Sequence, residues 1–540
     1  MSDRHHSPVL VGVVAAVGLT AASLLVFGVF ADNGGDDPTP TTLVSPPLTV
    51  ESTVTIPLLS STSTTRPEET TSSVEDAATS STTSTTPGPP QHEWVDRRTV
   101  GEPWGDAVAG LLTFRGNPTN TWYGTGPIPA TPGITWKYPD APMCSQSTDL
   151  GVTSTWCGNG WTGQPVIWER PDGVTEMIFG AYDRRLHFVD TETGHDTRTP
   201  FATGDIIKGT PTIDPDGYPL VYFGSRDNEL RILSLDRGEA IELWSAVADL
   251  SSGEGRWNDD WDASPRIVND ILFEGAENSL FYIWKLNRGY DADGQVTVDP
   301  VLLFKMETWT NEIIEAITPS GYLATSVENT AAVFEGRVYF ATSAGRVLGL
   351  DITDVENGRA PIVFDYWVGD DVDASIVVDQ EGMLYVAAEY ERYTERARTL
   401  GQLIKLNPYA EDDPYVWGMF SLTEPPAKGG LWSTPALGDG VLYVITNKGF
   451  LVAVDQMSGE EIWVTEVGAG SWSSPVIVED RLVVATNPGF LRSYDITDPR
   501  DPVLEWEFKV GEGAIEATPA VWNGTIYVGV RDGYMYAVGE

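Results

Sequence analysis

A pattern of about 40 residues recurs eight times between residue 163 and residue 540, and no other feature limits the fold as much. In its clearest copy, residues 432–463, Trp-Ser-Thr-Pro opens an apolar run and Leu-Tyr-Val follows. A Lys-Gly pair then turns the chain, Leu-Val-Ala-Val-Asp returns it, and Ser-Gly leads to a closing Trp. Small or polar residues at 438–440, 447–449 and 458–459 separate segments of strand length, so each copy predicts four short antiparallel strands. The copies begin at Gly163-Gln164-Pro165, Gly209-Thr210-Pro211, Ala263-Ser264-Pro265, Asn329-Thr330-Ala331, Ala374-Ser375-Ile376, Ser433-Thr434-Pro435, Ser473-Ser474-Pro475 and Ala517-Thr518-Pro519. Hairpin turns are expected at Asp183-Arg184, Asp227-Asn228, Glu277-Asn278, Ala344-Gly345, Lys448-Gly449, Pro488-Gly489 and Asp532-Gly533, with an insertion replacing the turn of the fifth copy.

Fourth strands carry an aromatic residue: Phe201, Trp244, Phe304, Trp367, Trp417, Trp463 and Trp506. The eighth copy stops after its third strand, whereas Ile134-Thr135-Trp136-Lys137-Tyr138, ahead of the first copy, has the missing pattern. A ring in which this N-terminal strand completes the last blade leaves no open edge. The expectation is an all-β fold: an eight-bladed β-propeller of four-stranded antiparallel blades over residues 133–540, closed by an N-terminal strand.

Ala453-Val454-Asp455-Gln456-Met457-Ser458-Gly459-Glu460-Glu461-Ile462-Trp463 resembles the tryptophan-docking motif of pyrroloquinoline-quinone-type propellers, with partial copies at Val189 to Gly194 and Tyr494 to Thr497. Phe114-Arg115-Gly116-Asn117-Pro118 is similar to the lead-in of extracellular members of that superfamily. The resemblance implies that a Trp packs between adjacent blades while the Asp and the Ser/Thr-Gly turn hold the strand end, which assigns blade docking to Trp136, Trp244, Trp463 and Trp506. It also implies two classes of function. The family's dehydrogenases oxidise alcohols or sugars with the quinone and a calcium ion, while non-enzymatic relatives, among them a scaffold of outer-membrane protein assembly, use the blades for docking. The adjacent cysteines that alcohol-oxidising members place against the quinone are absent, which argues against the quinone as a cofactor; calcium stays open.

Ahead of the ring, residues 8–30 carry no charge and are long enough to cross a bilayer as a helix. Arg4 precedes them, so residues 1–7 are expected in the cytoplasm and everything beyond the span outside, on a single-pass anchor; cleavage after Ala31 is the other reading. Residues 31–92 are Thr, Ser and Pro with almost no aromatic residue, the composition of a disordered stalk. Residues 93–132 read as an irregular lead-in segment. Cys144 and Cys157, the two cysteines of the chain, are expected to form a disulfide outside the cell. A net charge of -45 excludes a nucleic-acid partner.

Strand directions put the second-to-third-strand turns and the connections between blades on one face, where the inserts 249–262, 309–328 and 389–401 also fall, building up a binding face. An insert at 287–300 lies on the other face; its Asp291-Ala292-Asp293-Gly294 lacks the full spacing of a calcium loop and reads as a turn. One register position before each strand start converges on the channel mouth: Thr162, Lys208, Asp262, Glu328, Asp373, Trp432, Trp472 and Glu516. Trp257, Asp259, Asp260 and Trp261 repeat the Trp and Asp mixture on the neighbouring rim. Clustered carboxylates raise one another's pKa or recruit a cation, and Trp faces suit sugar rings. The other reading is of solvated acids and a Trp pair that seals the channel. No catalytic residues or metal ligands are assigned. The expected role is recognition of a cell-envelope glycan or protein, the alternative a quinone- or metal-dependent oxidoreductase acting at the same mouth.

Overall fold

The structure, a computed structural model, describes residues 94–105, 107–160, 163–420 and 429–540. The expected anchor and stalk lie outside these residues, and among the described residues no helix is long and apolar enough to cross a membrane.

Eight four-stranded antiparallel blades form the ring, seven of them with their strands in sequence order from the axis outward and the eighth closed by an N-terminal strand. Middle strands are buried on both faces, as in Leu220–Gly224 and Val441–Ile445, because each blade is sandwiched between two others. This is why they read as continuous apolar runs. Outer strands alternate exposure, as in Glu461–Glu466 and Val503–Lys509. The apolar core is accordingly divided into wedges between successive blades, such as Tyr222 with Leu272 and Phe281 with Phe340. Gly133–Tyr138 pairs antiparallel with Tyr534–Gly539, so the predicted N-terminal strand does complete blade 8.

The recurring hydroxyl at most strand starts has a structural reason. The Gln164 amide donates to Thr210 Oγ1 at 2.7 Å, and the Thr210 amide to Ser264 Oγ at 3.0 Å. Farther round, Thr330, Ser375, Thr434 and Ser474 each donate their amide to the hydroxyl of the next blade, at 2.9–3.2 Å. The Thr518 amide returns to the Gly163 carbonyl at 3.1 Å. Buried amides at the axis must find acceptors, and a Ser or Thr hydroxyl supplies one at six seams and the Gly163 carbonyl at another.

Docking of adjacent blades uses the expected motif across the seam. Asp455 Oδ1 accepts from the Met457 and Ser458 amides, and Gly459 lies beneath the ring of Trp417 from the preceding blade. Trp417 Nε1 donates to the Gln456 carbonyl, just as Trp136 Nε1 of blade 8 donates to Thr191 of blade 1. Trp506 Nε1 donates to the Pro129 carbonyl, while Trp463 and Trp244 pack edge-on against Tyr494 and Trp284 of the following blades.

The lead-in segment is a plug. Residues 110–125 run round the axis and bond to the inner strand of every blade. Gly110–Leu111 pairs with blade 1, and the Leu112 carbonyl accepts from the Ile213 amide of blade 2. Arg266 of blade 3 donates to Thr113, Phe114 and Asn120. The Pro118 and Thr119 carbonyls accept from Val333 and Val378 of blades 4 and 5. The fully buried Arg115 spans the next two, donating to the Pro435 carbonyl at 2.7 Å and the Pro475 carbonyl at 2.5 Å. Gly124–Thr125 then adds in parallel to Ala520–Trp522 of blade 8. Gly116 makes this path possible: its φ is +67°, and a Cβ there would lie 2.4 Å from the Trp122 ring. Most of these contacts fall at the far ends of the inner strands, so the plug closes the face opposite the mouth. Trp94, Val95 and Trp104 pack on that same face, where the Val95 carbonyl accepts from Glu335 and Trp104 Nε1 donates to Ile267.

Candidate functional site: the channel mouth

Each predicted mouth residue stands two positions before the hydroxyl or small residue of the belt, so shared register sets them at one level. Thr162 lies outside the described residues. Contacts link the others around the ring. Lys208 pairs directly with Asp262 and lies 3.8 Å from Glu277. Ser343 Oγ donates to Glu328 at 3.3 Å and to Asp373 at 3.1 Å. Trp432 stacks on Trp472 with centroids 4.7 Å apart and planes at 24°. Glu516 accepts from Arg531 at 2.6 Å.

Sequence reasoning missed a second tier. The residue before each hairpin turn also faces the mouth: Tyr182, Arg226, Glu277, Ser343, Glu389 and Arg531 occupy this register in blades 1 to 5 and 8. The signal was present in five of the six, since Tyr182, Arg226, Glu277, Ser343 and Arg531 each precede a turn pair whose second member has positive φ, while Glu389 opens the insert of blade 5. In blade 3 that member is Ser279, at φ +63°, so the turn is Asn278-Ser279 and not the expected Glu277-Asn278. Glu277 is thereby released to the mouth. Asp260, expected on the rim, and Asp371, which was not expected, stand two positions before Asp262 and Asp373 and are buried.

The charge is lopsided. Blades 3 to 5 contribute Asp260, Asp262, Glu277, Glu328, Asp371, Asp373 and Glu389. The cations among them are Lys208, Arg226 on Asp260 at 2.5 Å, and Arg392, 3.6 Å from Asp371. Arg392 is held by the Ser343, Tyr322 and Ala324 carbonyls. Burial, reinforced by neighbouring carboxyl groups, raises Asp260 and Glu328 to about 8. The same causes lift Glu277, Asp371 and Glu389 well above the carboxylate range. Asp262 goes the other way: burial pushes its pKa up, but the Lys208 ammonium, a hydrogen bond with Glu277 and the Arg226 guanidinium together hold it below the usual value. Asp262 Oδ1, Asp371 Oδ1 and Glu389 Oε1 are buried without a hydrogen-bond donor, and so is the Tyr182 hydroxyl. On the opposite arc stand the half-buried Trp432 and Trp472.

The inserts rise around this mouth. Helix α1 (Asn311–Ile317) precedes Tyr322, which packs edge-on against Trp257 and beneath Arg392. Helix α2 (Glu395–Leu400) lies in the blade 5 insert. Cys144 and Cys157 are disulfide-bonded and close a hairpin of Cys144–Asp149 and Val152–Cys157. The hairpin arches over the mouth, with Trp156 against Tyr182 and near the guanidinium groups of Arg226 and Arg531. Of the four rim residues, Trp257 is half-buried against Tyr322, while Asp259 accepts from Asn228 at 2.8 Å. Trp261 is wholly buried between Tyr282 and Trp284, so it is core. On the far face Asp291 Oδ1 caps its own turn through the Asp293 and Gln295 amides. An open groove lined by Trp463, Arg492, Leu504 and Glu507 lies between the outer strands of blades 6 and 7, away from the mouth.

Asp260, Asp262 and Glu277 bring carboxylate oxygens within 4.8 Å of one another, a span that suits a hard cation, although Lys208 and Arg226 already sit against them. The quinone fits poorly. It is a flat polyanion, and each mouth cation named above is already paired with a carboxylate. Trp432 and Trp472 stack on each other too closely to admit a ring between them.

Fold and site together define a β-propeller with an acidic and aromatic mouth. Residues 401–539, running from the end of blade 5 through blade 8, match the family described as outer membrane protein assembly factor BamB, a pyrroloquinoline-quinone-type repeat. Over that stretch the resemblance read from the docking motif is borne out; the acidic arc lies outside it. No curated protein sequence matches the chain. Among solved structures, the quinohemoprotein alcohol dehydrogenase of Comamonas testosteroni is 13% identical, with 80% of each chain covered and a TM-score of 0.49. Sqt1 of Saccharomyces cerevisiae is 7% identical over 67% of this chain and 92% of its own, with a TM-score of 0.49. The computationally designed Ika8 protein is 12% identical over 71% of this chain and 96% of its own, with a TM-score of 0.47.

Proposed function

We propose that the protein is a membrane-tethered, extracytoplasmic binding propeller that takes up the end of a cell-envelope glycan at the channel mouth. The observation that carries this reading is the asymmetry of the ring: residues 110–125 bond across one end, and the long inserts with the buried acids and the Trp pair gather at the other. A ligand entering opposite the plug presents an end. Half-buried Trp432 and Trp472 offer ring faces to a sugar. The poor fit to the quinone favours binding over oxidation.

Titration of the full-length protein with cell-envelope oligosaccharides, followed by tryptophan fluorescence, tests the reading. A saturable change that is lost in Trp432→Ala/Trp472→Ala supports it. An unaltered response in that double variant refutes it, as does quinone- and calcium-dependent oxidation of alcohols or sugars by the reconstituted protein.

A further inference from the structure

Like charges crowded in a buried mouth need an occupant. The mouth collects eight carboxyl groups, the seven of blades 3 to 5 with Glu516, against four cations, Lys208, Arg226, Arg392 and Arg531. Such an excess is costly in a low-dielectric site unless protons or a cation offset it. Both donors and acceptors are left over at the mouth, and the donors Arg226 Nε and Nη1 and Arg531 Nε stand on cations that already face carboxylates. Asp262 Oδ1, Asp371 Oδ1 and Glu389 Oε1 are acceptors without donors, on residues at most 3% exposed. The Tyr182 hydroxyl, wholly buried and without a partner, lies beside Glu516 within the field of Lys208 and Asp262. A ligand that satisfies this set carries several N–H donors and positive charge on a compact group.

Resting on the glycan reading above, we infer that the mouth recognises a terminal amino sugar whose nitrogen is free, its primary ammonium seated on the carboxylate arc of blades 3 to 5 and its ring toward Trp432 and Trp472. An ammonium offers three donors, which the orphaned carboxylate oxygens lack. Acetylation of the nitrogen removes both the charge and two of the donors. The mouth opposite the plug admits a terminal unit, which is where a single ammonium can be read.

The probes are a glucosamine oligomer with free amines, its fully N-acetylated counterpart, and calcium or magnesium alone, each titrated calorimetrically into the full-length protein. The free-amine oligomer is expected to bind at least tenfold tighter than the acetylated one and to release protons from the protein. Asp371→Asn/Glu389→Gln removes two groups able to ionise against an ammonium without changing shape. It is expected to weaken free-amine binding tenfold or more and to abolish part of the proton release, while leaving the unfolding temperature unchanged, because both carboxyl groups are held protonated in the unliganded mouth. Trp432→Ala is the second variant. If both oligomers bind alike, Trp432→Ala weakens them and the amide variant does not, the ammonium inference fails and the glycan reading survives. If neither oligomer binds, both fail. A response to divalent metal alone, lost in the amide variant, makes the mouth a metal site and overturns the inference.

Discussion

Replacing Arg115 with Met tests whether the plug holds the ring together or merely fills it. The substitution leaves the buried Pro435 and Pro475 carbonyls without their donors, and a buried unsatisfied acceptor costs roughly 1–3 kcal/mol. It also removes the guanidinium from the Tyr123 ring, 4.2 Å away. Against this, burial opposes the charge itself, pulling the Arg115 pKa down to about 10, so Met recovers part of the loss. The net expectation is a destabilisation of about 2–4 kcal/mol. Urea unfolding followed by tryptophan fluorescence reads the total. Hydrogen exchange of the Val333 and Val378 amides, which bond to Pro118 and Thr119, reads the plug itself. Unchanged stability together with unchanged exchange at those amides would refute the account of the plug.

Other consequences are equally open to measurement. Asp260 and Glu328 have folded-state pKa values raised to about 8, so the folded chain binds more protons than the unfolded one between the ordinary carboxylate range and that value. The stability they contribute is present in mild acid and lost as pH rises through about 8; the unfolding temperature should fall over that window, less steeply in Glu328→Gln, and a rise would contradict the mouth electrostatics. Replacing Cys144 and Cys157 with Ser opens a loop of separation 13, removing roughly 3 kcal/mol of constraint and exposing residues 145–156 to early proteolysis. Gly459→Ala should cost clearly more than Gly440→Ala although both have φ near +75°, because a Cβ at 459 lies 2.5 Å from the Trp417 ring and one at 440 meets nothing. Equal costs in urea unfolding would remove Trp417 from the docking account.

The ring was legible because its causes are local. Double burial writes continuous apolar runs, the belt asks for a hydroxyl before most inner strands, and the missing fourth strand after Val538 pointed to Trp136. The mouth ring followed from register alone. What escaped was non-local. Residues 110–125 contain only two-residue strands, and their partners lie up to hundreds of residues away, so no periodicity marks them. Arg115 looked like part of a family signature and is a bracket between blades 6 and 7. Glu277 was hidden by a one-residue error in the turn, which only the positive φ of Ser279 resolves. Trp261 shared the composition of the rim yet folds inward, because Gly224 has no side chain where the Trp261 backbone and Cβ pass.

Hydrogen exchange of the full-length protein with and without a bound envelope oligosaccharide bears most directly on the claim that the mouth is the recognition site. Protection is predicted in the peptides carrying Tyr182, Asp260 to Asp262, Glu389, Trp432 and Trp472, with the plugged face unchanged. Protection confined to the plugged face or to the outer strands of the blades would contradict it.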